Sequence, residues 1–339
     1  MIIAIDAFGG DNAPLEVIKG AISAKSASDV DIILCGNKEE IKKCAADNNL
    51  DLSGLKIKDA KDVISMHDQP TDILKSKNES SMAVALKTVA DGEADAFVSA
   101  GSTGAIVVGA TFIIKRLKGI KRAALGSIIP GRNKNFLMMD VGANAECRPE
   151  MLQQFAIMSS IYMKNVMNVA NPEVALLNIG TEETKGGQLQ LDTYALLKKS
   201  PINFIGNVEA RDLPKGVCDA IITDGFTGNI ALKLYEGVSL NIFSMLKEVF
   251  YKNLKTKLAA LVVKPGLSSI KKKADYSEIG GAPLLGVKKP VIKAHGSSND
   301  IAFKNAILLA AKFAENDVIG AISNDLSKMK ESITDECKD

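Results

Sequence analysis

The chain has 339 residues, 46% of them apolar and 24% charged, with a net charge of +2 at neutral pH. That is enough chain for a single α/β domain, or for two lobes on one shared sheet, with the composition of a globular enzyme. So small a charge excess, without a nucleic-acid motif, excludes nucleic acid as a partner, and the absence of Trp with only 5% aromatic residues argues against ligand binding by ring stacking.

Along the chain one pattern occurs six times: a short apolar run stops abruptly in Gly, Asp, Asn, Ser or Thr. Such runs are predicted to be buried strands. The first is 1–5, followed by the turn 6–11 (DAFGGD). Pro14 stands at the start of a helix continued by Leu15, Ile18 and Ile22. A strand over 31–34 ends at Gly36 and Asn37, and a short helix covers 39–48. A helix over 80–90 precedes the second unit, strand 96–98 with turn 99–104 (SAGSTG), from which a helix runs over 104–115. The third unit is strand 137–139 with turn 140–144 (DVGAN), followed by a helix over 150–167. The fourth is strand 174–177 with the loop 178–187 and a helix over 189–199. The fifth is strand 220–222 with turn 223–229 and a helix over 229–250.

Residues 251–276 break the alternation. Lys252, Lys255, Lys257, Lys264, Lys271, Lys272 and Lys273 accompany Leu254, Leu258, Leu261 and Val262 at helical spacing, and Pro265-Gly266 is expected to divide the segment into a basic amphipathic helical hairpin. The sixth unit follows, strand 291–294 with turn 295–300 (HGSSND) and an Ala-rich helix over 299–316. The tail after Lys328 is polar and expected to fray. Strands alternating with helices predict an α/β fold with a mostly parallel sheet flanked by helices, whose ligands bind beyond the carboxyl ends of the strands. The six turns are therefore expected to converge on one polar, glycine-lined site.

Cys35, Cys44, Cys147, Cys218 and Cys337 form no C-x-x-C pair, which predicts reduced thiols in a cytoplasmic protein. The N-terminus lacks a basic stretch before its apolar run, and Asp6 interrupts that run, so no signal peptide is expected. The longest apolar stretch, 105–114, is too short to span a bilayer.

The chain has no G-x-x-x-x-G-K-[ST] loop, G-x-G-x-x-G fingerprint, H-E-x-x-H or G-x-S-x-G, and only two histidines, His67 and His295. What remains is glycine, hydroxyl and amide. Gly101, Ser102, Thr103 and Gly104 open a helix, which makes them either a phosphate cradle at a positive helix end or a tight strand-to-helix turn. Asp224, Gly225 and Gly228 repeat that arrangement. Asn229 beside them offers an amide to a developing oxyanion, or else caps the helix. Lys185, in a glycine-flanked loop with Glu182 and Glu183, is suited to neutralise a phosphate or a carbonyl oxygen. Asp6 and Asp140, with Gly9, Gly10 and Asn144, are expected to brace their loops rather than hold Mg²⁺. His295 is either a proton donor to a leaving group or a structural histidine. No role is expected for Cys147, and no metal or cofactor.

Eight motifs then occur in a fixed order: Asp6-Ala-Phe-Gly-Gly-Asp11 with Pro14, Ser99-Ala-Gly-Ser-Thr-Gly-Ala105, Asp140-Val-Gly-Ala-Asn144, Leu176-Leu-Asn-Ile-Gly-Thr-Glu182, Lys185-Gly186, Phe204-Ile-Gly-Asn-Val-Glu-Ala210, Asp224-Gly-Phe-Thr-Gly-Asn229 and His295-Gly-Ser297. Through them the chain resembles the PlsX family, the acyl-acyl-carrier-protein:phosphate acyltransferases of bacterial phospholipid synthesis. It departs from the family in Ser102, where Asn is usual, and in Lys75 and Ser76, where an Arg-rich run is usual.

The resemblance implies a fold like that of the isocitrate and isopropylmalate dehydrogenases, and a homodimer. It implies that inorganic phosphate attacks the thioester of a long-chain acyl-acyl carrier protein, and that the acyl phosphate passes to a membrane acyltransferase. On this basis Lys185 and Asn229 are expected at the reacting centre, with Gly101 to Gly104 around phosphate. The hairpin over 251–276 is expected to rest peripherally on the inner face of the membrane through Leu254, Leu258, Leu261 and Val262, to dock acyl carrier protein, or to serve the dimer. The alternatives are a phosphate acetyl- or butyryltransferase using acyl-CoA, a β-decarboxylating dehydrogenase, and a non-catalytic membrane scaffold.

Overall fold

Ile2–Asp6 forms the first strand, β1, because its apolar residues can be buried on both sides. Ile3 and Ile5 join one hydrophobic core and Ala4 joins a second, on the opposite face of the sheet. The next strand, β2 (Asp31–Gly36), does the same, with Ile32 and Leu34 on one face and Ile33 and Cys35 on the other. A strand buried on both faces carries a continuous apolar run rather than an alternating one. Each fully buried Ile or Leu contributes about 1.5–3 kcal/mol.

A computed structural model of the chain describes residues 1–274 and 280–325, with side chains described for 1–267 and 280–325. Lys271, Lys272, Lys273, Tyr276, the tail after Lys328 and Cys337, singled out above, lie outside the described side chains. The N-terminal half continues with α1 (Leu15–Ala27), α2 (Lys38–Asp47), β3 (Leu55–Asp59), α3 (Ser81–Ala90), β4 (Ala96–Ser99) and α4 (Thr103–Gly109), the last extended by a wider turn over Ala110–Lys115. Then come β5 (Ala124–Ile129), β6 (Phe136–Met139), α5 (Pro149–Asn165), β7 (Glu173–Asn178), α6 (Gln188–Lys198), β8 (Asn203–Glu209) and β9 (Ala220–Ile222). The remainder is α7 (Gly225–Tyr251), α8 (Leu254–Ala274), β10 (Ala282–Leu285), β11 (Val291–Lys293) and α9 (Asp300–Glu315).

The strands form one 11-stranded sheet in the order β3-β2-β1-β4-β11-β10-β5-β6-β9-β7-β8. The fold is α/β, with helices on both faces and parallel pairing within each half. The sheet is nonetheless not one parallel array. β3, β2, β1, β4 and β11 are mutually parallel, and so are β6, β9, β7 and β8. Between the two blocks the pairs β11–β10, β10–β5 and β5–β6 are all antiparallel. Three reversals leave the blocks pointing in opposite directions. Tyr162 on α5 meets Phe313 on α9 edge to face, at 5.9 Å between ring centres, and ties the helices of the two blocks together.

Two helix boundaries differ from those read in the sequence. α7 starts at Gly225, because Asp224 caps it: the Thr227 N–H donates to Asp224 Oδ1 at 2.8 Å. Asn229 therefore lies in the second turn and is not a cap. The hairpin turns at Lys252 and Asn253, not at Pro265-Gly266, and its first arm is the end of α7 itself. Asn253 and Thr256 cap α8 reciprocally, each backbone N–H reaching the other side chain at 3.1 Å. Pro265 lies inside α8.

Candidate active site

The strand-end turns assemble into two interlocked groups. In the first block, Ser99 Oγ donates to buried Asp6 Oδ2 at 2.7 Å, and the Gly101 N–H donates to Ser99 Oγ at 3.0 Å. The Asp11 N–H donates to the Gly296 carbonyl at 2.8 Å, joining the turn after β1 to the turn after β11. Gly10 makes this approach at φ +103°, a conformation open to glycine. Burial pushes the Asp6 carboxyl up from the ordinary range, against the hydrogen bonds from Ser99 and the Phe8 N–H.

In the second block, Asp140 Oδ1 accepts from the N–H groups of Leu125, Gly142 and Ala143, and Oδ2 from the N–H and side-chain amide of Asn144. The Gly225 N–H donates to the Asn144 carbonyl at 2.8 Å. Gly228 packs so closely on the Asp140 carbonyl that a Cβ there would overlap it. α7 can therefore start where it does only with glycine at this position.

One cavity of about 230 Å³ reaches both groups. It is lined by Thr103 after β4, Gly142 after β6, Asn229 on α7, and Lys293, His295 and Ser298 around the end of β11. Opposed blocks can share a cavity because the intervening strands are so short. The four residues of β10 span only about 13 Å, and β5 crosses the cavity floor with Leu125, Ser127 and Ile128. Asn229 lies against Gly142, whose Cβ position would sit 3.5 Å from the Asn229 amide carbon.

Several expected anion ligands fall outside this lining. Gly101 has given its N–H to Ser99, Ser102 and Gly104 do not line the cavity, and Gly104 packs against Pro70. Asp224, Gly225 and Gly228 are engaged in capping and close packing. Of the turn 101–104 the cavity takes Thr103 alone. Lys185 is not brought to the cavity lining. It is exposed on the loop after β7, which is tied to β8 by Asn207 Nδ2 donating to the Glu182 carbonyl at 2.9 Å. Glu183 pairs with Lys198 at 3.1 Å.

The charged residues of the lining are Lys233, Glu236 and Lys293, an excess of one positive charge. Asn229, Lys233 and Glu236 stand at i, i+4 and i+7, one face of α7. Helical spacing continued from Asn229 was the signal for Lys233 and Glu236; Ser298 lies in the singled-out turn 295–300, and nothing local in the sequence marked Lys293. Burial draws the Lys293 ammonium below the usual lysine range, partly offset by Glu236. Burial likewise lifts the Glu236 carboxyl, against Lys293 and Lys233. His295 is lowered by burial and by Lys293, and so stays neutral at neutral pH. Its Nδ1 is held by Ser297, 2.8 Å from the hydroxyl and 3.3 Å from the backbone N–H that donates to it. The Cys147 thiol, held by burial up to about 12, is a poor nucleophile. Among the described residues no cluster of three His, Cys, Asp or Glu side chains is placed to hold a metal ion.

The family described as "Fatty acid synthesis protein" matches residues 1–321. The phosphate acyltransferase of Clostridium acetobutylicum is 49% identical, over 97% of this chain and 100% of its own length. That of Bacillus cereus is 47% identical, over 97% and 99%. The chain belongs to the phosphate acyltransferase (PlsX) family. Solved structures of remote sequence share the fold. A phosphotransacetylase from Streptococcus pyogenes superposes with a TM-score of 0.63 at 17% identity, covering 93% of this chain and 94% of its own. A 4-hydroxythreonine-4-phosphate dehydrogenase from Klebsiella pneumoniae gives 0.54 at 11% identity, covering 93% and 99%. The family makes this chain an enzyme, a phosphate acyltransferase, on a fold shared by acyl-transferring and dehydrogenase proteins.

Proposed function

We propose that this phosphate acyltransferase takes a long-chain fatty acyl group from acyl carrier protein, gives it to inorganic phosphate, and so supplies acyl phosphate for phospholipid synthesis. The observation that carries this reading is the cavity itself, with one net positive charge, an amide and a neutral imidazole, and no cysteine among its lining residues. Phosphate is already a nucleophile, so the protein need only align it and stabilise the oxyanion.

An oxygen of HPO₄²⁻ forms a bond to the thioester carbonyl carbon. The carbonyl electrons move onto oxygen, where the Asn229 amide donates to them. Collapse breaks the C–S bond, and the phosphate proton passes to the departing thiolate, giving acyl phosphate and free thiol. His295, a neutral imidazole held at Nδ1 by Ser297, is suited to relay that proton. Lys185 is assigned to neutralise negative charge at the reacting groups from its glycine-flanked loop, and Thr103 to contact phosphate.

The hairpin is assigned to the membrane surface. Leu254, Leu258, Leu261 and Val262 are exposed, Val262 at 81%, beside Lys252, Lys255, Lys257 and Lys264. No helix among the described residues is long and apolar enough to cross a membrane. Exposed apolar residues nearer the body on α7, such as Leu234 and Val238, support a homodimer. The membrane acyltransferase that consumes acyl phosphate is assigned as the downstream partner.

The test is to incubate the protein with palmitoyl-acyl carrier protein and phosphate, without metal or nucleotide, and trap acyl phosphate with hydroxylamine. Equal yields of acyl phosphate and free carrier are expected. Acyl phosphate formed from acetyl- or butyryl-CoA but not from palmitoyl-acyl carrier protein would contradict the donor assignment.

A further inference from the structure

We propose that Lys293, at the end of β11, and Ser298, on the loop from β11 to α9, form the seat of the inorganic phosphate. The proposal rests on the transfer to phosphate argued above and adds where the anion is held.

Two residues of the cavity lining carry a polar group without a sufficient partner. Ser298 is 4% exposed, and its Oγ makes no hydrogen bond among the described residues. A buried hydroxyl left unpaired is costly, and an anion oxygen in the cavity would satisfy it. The Lys293 ammonium reaches only the Ala294 carbonyl, at 3.4 Å, and no carboxylate within ion-pair distance among the described residues. Glu236 lines the same cavity and favours the charged form of Lys293 from further away.

The two residues are five apart in the chain, one ending β11 and the other in the loop after it, and both line one cavity with Thr103. An ammonium brings three donors and a hydroxyl one, and phosphate has acceptors for all of them. The competing seat, the turn after β4, has its Gly101 N–H already committed and Gly104 packed on Pro70. Asn229 lines the same cavity, on α7. An anion held by Lys293 and Ser298 therefore lies beside the thioester carbonyl that Asn229 would polarise.

The experiment measures the KM for phosphate, the KM for the acyl donor, and the rise in melting temperature that phosphate produces over potassium chloride of equal ionic strength. It uses the full-length wild type, Lys293→Met, Lys293→Arg and Ser298→Ala. Lys293→Met is expected to raise the phosphate KM about ten- to a hundredfold, the worth of one charged hydrogen bond. Ser298→Ala is expected to raise it about two- to tenfold. In both, the acyl-donor KM stays near wild type and the phosphate-induced shift shrinks, while Lys293→Arg recovers part of each. Without ligand, Lys293→Met melts at or above the wild-type temperature, because it removes a partly buried charge. A wild-type phosphate KM and an undiminished thermal shift in both Lys293→Met and Ser298→Ala would overturn the seat. If the wild type forms no acyl phosphate from any donor, the transfer reading fails, and the thermal shift still decides whether these two residues hold phosphate.

Discussion

Asn229 lies on the first turns of a helix whose start is fixed by the Asp224 cap and by the contact of Gly228 with the Asp140 carbonyl. Its amide is thus held in place before substrate arrives, as oxyanion stabilisation requires. Asn229→Ala is expected to lower kcat about 10²–10³-fold in the acyl-phosphate assay. Lys185→Ala is expected to lower turnover less, because Lys185 is exposed on a loop outside the cavity lining. Near-normal turnover in both variants would refute their assignment, and a loss in Lys185→Ala as large as in Asn229→Ala would mean that the loop after β7 closes on the substrate. At this scale the sequence was legible as to position where a side chain and its local turn coincide, since Asn229, Thr103 and His295 reach the cavity lining. Gly101, Gly104, Gly225 and Gly228 lie outside that lining. Glycine reports that something comes close, and here that something is Ser99, Pro70, Asn144 and Asp140 rather than a ligand. Ser298 was legible only as part of the turn 295–300 and Lys293 not at all, because their burial comes from distant segments.

At the scale of elements, the buried strands and the main helices follow from apolar runs and their spacing. The missed strands share a physical cause. β3 and β8 are the sheet edges, and β3 carries Lys56 and Lys58, which protect an edge but dilute the apolar signal. β5 and β10 are interrupted by Gly126, Ser127 and Pro283. The hairpin was legible in composition but not in its hinge, because the reciprocal caps of Asn253 and Thr256 outweigh the break suggested by Pro265. Its apolar stripe gives a direct expectation. The protein should co-sediment with liposomes containing anionic lipid, and Leu258→Glu should abolish this while leaving the circular-dichroism melt unchanged. Undiminished co-sedimentation of a folded Leu258→Glu protein would remove the hairpin as the anchor.

At the scale of the whole molecule, the sheet reversal is what the sequence could not disclose. Six similar strand-turn units suggest one parallel array with all its turns at one end. The antiparallel pairs at β10 and β5 instead divide the turns between two ends. Short central strands bring those ends within reach of one cavity, which takes Thr103, Lys293 and His295 from one block and Gly142 and Asn229 from the other. In the proposed arrangement the anion seat and the Asn229 amide share that cavity, with the weakly acidic Cys147 thiol assigned no part in the chemistry. The central claim is direct attack of phosphate on the donor, and rapid-quench turnover with radiolabelled palmitoyl-acyl carrier protein tests it most directly. Label is expected in acyl phosphate only when phosphate is present, with none covalently bound to the enzyme at any time. A protein-bound acyl group that accumulates without phosphate and is discharged when phosphate is added would contradict the account.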